Sequence, residues 1–345
     1  MKHKLRSILG SLISIAALGW VFSRVDFHGV GEAFRQVRWG WIPLLVFAYL
    51  TGFAIRGIRW RLMLRPIKRI SWFSSTSVVV IGYMANNVLP ARLGEFARAY
   101  VLSERENVSK ASALASIFVE RVFDGLALVL ILGVATSAST FRPEYVTTIC
   151  TVGYLAFIVF VTALIAVLLA RLRRSWLESL VKMAVRFFPS GIGQRVLIIS
   201  QSMLESVSFL RVDRTLPTFL LLSILVWLVE GSMFWLGLVA CGIGFDPRVA
   251  YFTLAFVNFG LLMPSAPAYV GVFQAGTIVA FAAFGLPEEV ALSYSILIHV
   301  LQFLPITLLG LLLVNRYGLS LQPLGKTQAS GEVQAGQTDG GATGG

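Results

Sequence analysis

The chain has 345 residues, 57% of them hydrophobic and 13% charged, and a mean hydropathy of +0.79. That leaves too little polar surface to cover a soluble globule of this size, so the sequence reads as an integral membrane protein. The net charge of +12 does not point to nucleic acid: the basic residues punctuate apolar runs instead of gathering on one solvated face, and so act as topology signals and contacts to anionic lipid head groups.

Lys2, Lys4 and Arg6 precede an apolar run at 8–22. Ser23-Arg24-Val25-Asp26 follows in place of a small-residue cleavage site, which predicts an uncleaved first span with a cytoplasmic N-terminus. A second run, 41–64, is interrupted by Arg56, Arg59 and Arg61, with Arg65, Lys68 and Arg69 just beyond. The outer members reach the interface by snorkelling; Arg56 is the deepest and is expected to face inward. Spans are predicted at 111–134 and 146–170, and the basic Arg171-Leu172-Arg173-Arg174 after them belongs in the cytoplasm. That placement requires 78–101 to enter and leave on one side, as a re-entrant pair of half-helices around Pro90. Residues 175–214 read as two amphipathic helices that either lie in the interface or pack on the protein as a cytoplasmic linker.

A span at 216–241 carries one charge, Glu230. A second re-entrant element, 251–284, is broken at Pro264 and Pro267, and a last span covers 291–314. The tail, 318–345, cannot bury enough apolar surface to fold. The expected fold is all-α: a polytopic membrane protein with about six full spans and two re-entrant broken helices. It forms one domain, 1–317, with halves at about 1–135 and 146–317, a linker at 171–215, and both termini cytoplasmic. Most of the 29 Lys and Arg then lie on the cytoplasmic side. The first half begins inside and the second outside, so the halves are expected to be related by inversion, as in many transporters.

Two stretches carry unusual chemistry for a membrane span. The first supplies Asn86, Asn87, Pro90, Arg92, Gly94, Glu95 and Arg98; the second supplies Pro264, Pro267, Gly271 and Gln274. A broken backbone at membrane depth survives only where protein or a water-filled cavity covers it, so the two stretches are read as halves of one substrate site. Glu120, Arg121 and Asp124 share the middle of a span, where Arg121 is placed to pair with Asp124. They either line the cavity or form a structural knot of ion pairs. Glu230 needs a partner, and Arg56 or Arg59 is the candidate. Cys150 and Cys241 read as inert thiols, with a single disulfide as the alternative. His3, His28 and His299 show no ligand spacing, and His299 reads as a polar residue packed within the last span. No metal, cofactor or nucleotide-binding loop is expected.

Asn-Asn-x-Leu-Pro-x-Arg-x-Gly-Glu at 86–95, Glu-Arg-x-x-Asp at 120–124, Arg-x-x-Arg-Trp at 56–60 and the break at Pro264 together resemble the flippase-like membrane domain of lysylphosphatidylglycerol synthases. The resemblance covers nearly the whole chain to about residue 317. It implies translocation of a membrane lipid with an anionic or zwitterionic head group, a phospholipid or a polyprenyl-linked lipid, between leaflets of a bacterial or archaeal cytoplasmic membrane, and the expected mechanism is alternating access of the two halves. In place of the family's Pro-Gly-Gly-type turn followed by Glu, this chain has Pro267-Ala268-Tyr269-Val270-Gly271 and then Gln274. That change removes a charge and argues against a cationic cargo. No soluble domain follows that could use aminoacyl-tRNA, so the chain is not read as an enzyme. Two other readings stay open: a membrane-embedded lipid-modifying transferase with Glu120 and Asp124 as acid and base, and a non-catalytic subunit that recruits a separately encoded lipid-modifying enzyme.

Overall fold

The computed structural model describes residues 35–89, 93–172, 174–186, 215–262 and 267–318, together with 31, 32, 193 and 197. The expected first span at 8–22, the second amphipathic segment of the linker and the tail beyond 318 lie outside the described residues.

Every regular element among the described residues is helical. Hydrocarbon offers no water to pair with exposed backbone, so each apolar run satisfies its own N–H and C=O groups. A short 3-10 turn, Trp39–Trp41, leads into α1 (Ile42–Leu64). It is followed by α2 (Trp72–Val88), α3 (Gly94–Glu106), α4 (Lys110–Ser137), α5 (Pro143–Leu172) and α6 (Arg174–Val185). The rest comprises α7 (Thr215–Ala240), α8 (Pro247–Gly260), α9 (Val272–Ala283) and α10 (Glu288–Arg316). Segments Trp39–Leu64, Pro143–Ala170, Pro217–Ala240 and Glu288–Arg316 are long and apolar enough to cross a membrane. The 28-residue α4 is as long, but Glu120, Arg121 and Asp124 interrupt its apolar surface. The protein is an all-α polytopic membrane protein.

Local chemistry sets the ends. Ser71 and Ser109 accept the N–H groups of Ser74 and Ser112, each at 3.0 Å, to cap α2 and α4. Asp246 caps α8 through the Arg248 N–H at 2.9 Å, with Pro247 in the first turn. Asn107, at φ 49°, ends α3 in the left-handed conformation that stops a helix. Helix α6 leaves Trp176 and Met183 exposed, the pattern of a segment resting in an interface. Cys150 is exposed, Cys241 half-buried, and both thiols are free.

Two helical hairpins organise the interior. At one tip the Gly94 N–H donates to Asn86 Oδ1 at 2.8 Å, and at the open end of the same hairpin Ser74 donates to Glu106. Helices α2 and α3 therefore leave at the level where they entered. In the second hairpin Val257 of α8 packs on Gly276 of α9, and the Phe252 and Phe284 rings meet at 5.3 Å at its open end. The hairpins open at opposite ends of α4. The first opens beside its start, while the second is tied beyond its finish by Arg248 to the Ala138 carbonyl (2.8 Å) and the Arg142 N–H to the Ala283 carbonyl (3.0 Å). Their tips meet inside the bundle, where α2 packs on the turn Pro267–Tyr269.

The packing is symmetric under exchange of α1–α4 with α7–α10. Helices α1 and α7 run antiparallel, with the Arg38 N–H on the Ala240 carbonyl (2.8 Å) at one end and Arg59 on Ser223 (3.0 Å) further along. Helices α2 and α10 are also antiparallel, joined by Asn87 to Thr307 (3.0 Å) and by Arg316 over the Phe73 ring. The contact of α4 with α8 is its counterpart. Counterparts under this exchange, such as α1 and α7, run in opposite directions.

Candidate functional site

Four guanidinium groups and four carboxylates meet where the elements converge. Arg59 of α1, fully buried, donates to both carboxylates of α4: to Glu120 at 2.9 Å, and to Asp124 through a close bond to Oδ1 and a second of 3.2 Å to Oδ2. Arg98 of α3 grips Glu120 with two bonds, 2.6 and 3.2 Å, and lies 3.8 Å over the Trp60 ring. The Trp227 indole N–H of α7 donates to Asp124 at 3.1 Å. Nearer the hairpin tips, Arg56 pairs closely with Glu230 of α7, which also accepts from Gln302 of α10 at 3.2 Å. Arg121 lies 3.4 Å from Glu95 and 3.5 Å from Asp124. Each charge faces an opposite one, the condition under which ionised groups persist in an apolar bundle.

Above this layer is a cavity with about 130 Å³ open to the centres of water molecules and about 820 Å³ of empty space including its mouth. Charges line it (Arg56, Glu95, Arg121, Glu230), as do amides (Asn86, Asn87, Asn258, Gln302), rings (Tyr49, Tyr83, Trp227, Tyr269, Phe273, Phe303), His299, Leu261 and Ala268. Both hairpin tips contribute, and the first turns of α3 and α9 reach the wall through Glu95 and Phe273.

The sequence-derived candidates divide into four groups. Asn86, Asn87, Glu95, Arg121 and Glu230 stand on the cavity wall. Arg98, Glu120 and Asp124 do not; they are buried in the ion-pair layer and bonded to one another's neighbours, which is the arrangement of the structural knot. Gly94, Gly271 and Gln274 shape the tips. A Cβ at Gly94 would come within 2.0 Å of the Gly82 carbonyl oxygen, and Gln274 caps α9 by accepting the Gly271 N–H at 2.8 Å. Pro267 opens the 3-10 turn, while Pro90, Arg92 and Pro264 lie outside the described residues. Of the two partners considered for Glu230, Arg56 is the one that pairs with it.

His299 has a more defined place than its sequence setting suggested. Nε2 is 2.6 Å from the Ala268 carbonyl and Nδ1 is 2.9 Å from the Gln274 amide nitrogen, so Nε2 carries the proton and Nδ1 accepts. The ring stacks on Phe273 at 4.8 Å. This clamp holds the second tip in shape. No sequence signal marked it, because a single His in an apolar span has no characteristic spacing. Gln302, one turn further along α10, was equally silent.

Ala268 and Tyr269 both adopt positive φ, 57° and 59°, in the turn after Pro267. Left-handed backbone costs a non-glycine residue roughly 1–2 kcal/mol. Ala268→Gly is therefore expected to raise stability by about 1 kcal/mol, read as a higher thermal midpoint of the purified protein in detergent. A lower midpoint would mean that burial of the Ala268 methyl outweighs the strain.

Comparison with known proteins adds the following. The family described as the Lysylphosphatidylglycerol synthase TM region matches residues 7–310. Glycosyltransferase AglD of Haloferax volcanii is 27% identical over 332 residues, 86% of this chain and 52% of AglD. A UPF0104 membrane protein of Methanothermobacter thermautotrophicus is 23% identical over 92% of this chain and 95% of its own length. Another, MJ1078 of Methanocaldococcus jannaschii, is 20% identical over 65% of this chain and 90% of its own length. The chain thus spans about half the length of AglD and nearly all of the UPF0104 proteins. No solved structure matches.

Proposed function

The chain belongs to the lysylphosphatidylglycerol synthase transmembrane-region family, and from that premise we propose that it moves the head group of a membrane lipid between leaflets through the cavity at the hairpin tips. The observation that carries this reading is the meeting of two oppositely inserted hairpins around a polar, charge-balanced cavity. The surrounding bundle is apolar on its outside, with Phe47, Tyr154, Leu155, Ile158 and Leu312 exposed. A head group entering hydrocarbon loses its water, and unpaired polar groups there cost several kcal/mol each. A midplane cavity of amides, rings and paired charges supplies substitute partners while the acyl chains stay outside. The cell membrane, with the chain's N- and C-termini on the cytoplasmic side, is the setting that the positive-inside pattern of the sequence supports.

A second reading draws on the similarity to AglD, which is named a glycosyltransferase: the chain serves lipid glycosylation as the membrane partner of a separately encoded enzyme. Transferase chemistry within the bundle has less support among the described residues. Glu120, Asp124 and Glu230 are bound in ion pairs, and both ring nitrogens of His299 are engaged, which leaves no evident free base.

Leaflet exchange of fluorescent phospholipids in proteoliposomes tests the transport reading. Exchange faster than in protein-free vesicles is expected, and at least about tenfold slower exchange for Glu95→Gln combined with Arg121→Gln, which removes one cavity pair without leaving a lone charge. No acceleration over empty vesicles, across phosphoglycerol, phosphoethanolamine and glycosyl-phosphate head groups, would overturn it.

A further inference from the structure

The walls of the cavity carry a preference about its occupant. An ammonium head group would seek a carboxylate or an aromatic cage. Both are already filled by the protein: Glu230 is paired with Arg56 and Glu95 with Arg121, while the Arg56 guanidinium sits 5.3–5.4 Å from the Phe53, Tyr83 and Trp227 rings. An incoming cation would have to displace a tethered one.

An anion meets the opposite situation. Arg56 stands on the cavity wall, is 1% exposed, and has two donor nitrogens, Nε and Nη1, with no hydrogen-bond partner. A buried guanidinium with unused donors is costly unless a ligand completes it. The first turn of α9 reaches the same cavity through Phe273 and contains no acidic residue to offset its positive end. Around these lie Asn86, Asn258 and Gln302, neutral amides suited to hydroxyl groups and not to a second charge.

We propose that the cavity selects a phosphate-bearing head group whose substituent is neutral and hydroxyl-rich, such as glycerol or a sugar, and that Arg56 is the phosphate ligand. This rests on the lipid-translocation reading for its setting, but its test is binding and needs no transport. The purified protein in detergent is titrated with short-chain phosphatidylglycerol, phosphatidylethanolamine and phosphatidylcholine, and bound lipid is counted by native mass spectrometry. Phosphatidylglycerol is expected to bind at least about tenfold more tightly than the two ammonium lipids, which bring a cation to carboxylates and rings already occupied by Arg56 and Arg121. Arg56→Lys keeps the charge against Glu230 but lacks the spare planar donors, and is expected to weaken phosphatidylglycerol binding at least about tenfold, the scale of a charge-assisted hydrogen bond. Arg56→Gln with Glu230→Gln, which leaves no lone charge, is expected to do the same and guards against misfolding of the single variant.

Equal or tighter binding of the ammonium lipids, or undiminished phosphatidylglycerol binding in both folded variants, overturns the proposal whether or not the protein accelerates exchange. Selective, Arg56-dependent binding without exchange upholds the ligand and removes the transport reading alone.

Discussion

Arg59→Met is expected to leave little folded protein, and what is recovered should be destabilised by about 3–5 kcal/mol, the cost of stripping one partner from a buried ion pair. The reason is that Arg59 serves two carboxylates at once. Glu120 would keep Arg98, but Asp124 would keep only the Trp227 indole and the longer contact to Arg121. Methionine fills much of the volume without replacing the charge. Thermal unfolding in detergent and the yield of monodisperse protein measure the effect. Arg61→Met, two residues closer to the end of α1 and exposed, is the control and should change stability by less than about 0.5 kcal/mol. Equal behaviour of the two variants would mean that the buried layer contributes nothing to stability.

Gly94→Val is expected to be the most damaging change at either hairpin tip. The first added carbon would lie 2.0 Å from the Gly82 carbonyl oxygen and 2.5 Å from Asn86 Oδ1, and the nearer atom is backbone, which cannot rotate away. The tip has to open, which breaks the Gly94–Asn86 bond and moves Asn86 and Glu95 on the cavity wall. Overpacking of this kind costs about 1–3 kcal/mol or more, and lipid binding and exchange should fall together with stability. Gly133→Ala provides the contrast within α4. Nothing lies within 4 Å of its Cβ position, so the substitution should be neutral or add up to about 1 kcal/mol from helix propensity. A tolerated Gly94→Val would show that the close approach of α2 and α3 is not needed.

Much of the architecture was legible in the sequence because membranes simplify the problem. Apolar runs set the helices, and the basic Arg171-Leu172-Arg173-Arg174 block forced the first broken helix to return to the side it came from. The contacts of Ser74 with Glu106 at the open end and Gly94 with Asn86 at the tip show that return directly. The site was harder to read, because hydropathy reveals depth but not direction. Glu120, Arg121 and Asp124 look alike in sequence, yet only Arg121 faces the cavity. Arg98 and Glu95 are three residues apart on one helix, and one turns into the ion-pair layer while the other meets the cavity. His299 gained its place only from tertiary packing of α10 against the second tip, and Gln302 from its contact with Glu230 of α7.

The ion-pair layer also constrains how such a molecule can move. It joins α1, α3 and α4 from one half to α7 from the other through Arg56–Glu230, Arg59–Ser223 and Asp124–Trp227. Rocking the halves apart as whole bodies would tear buried charges from their partners, at several kcal/mol for each. Among the described residues the tips are held more lightly, by Asn87 on Thr307, by the His299 clamp and by the longer Glu95–Arg121 pair, and the second is strained at Ala268 and Tyr269. On the proposed translocation reading, the least costly movement therefore keeps this frame still and shifts the described ends of the hairpins against it.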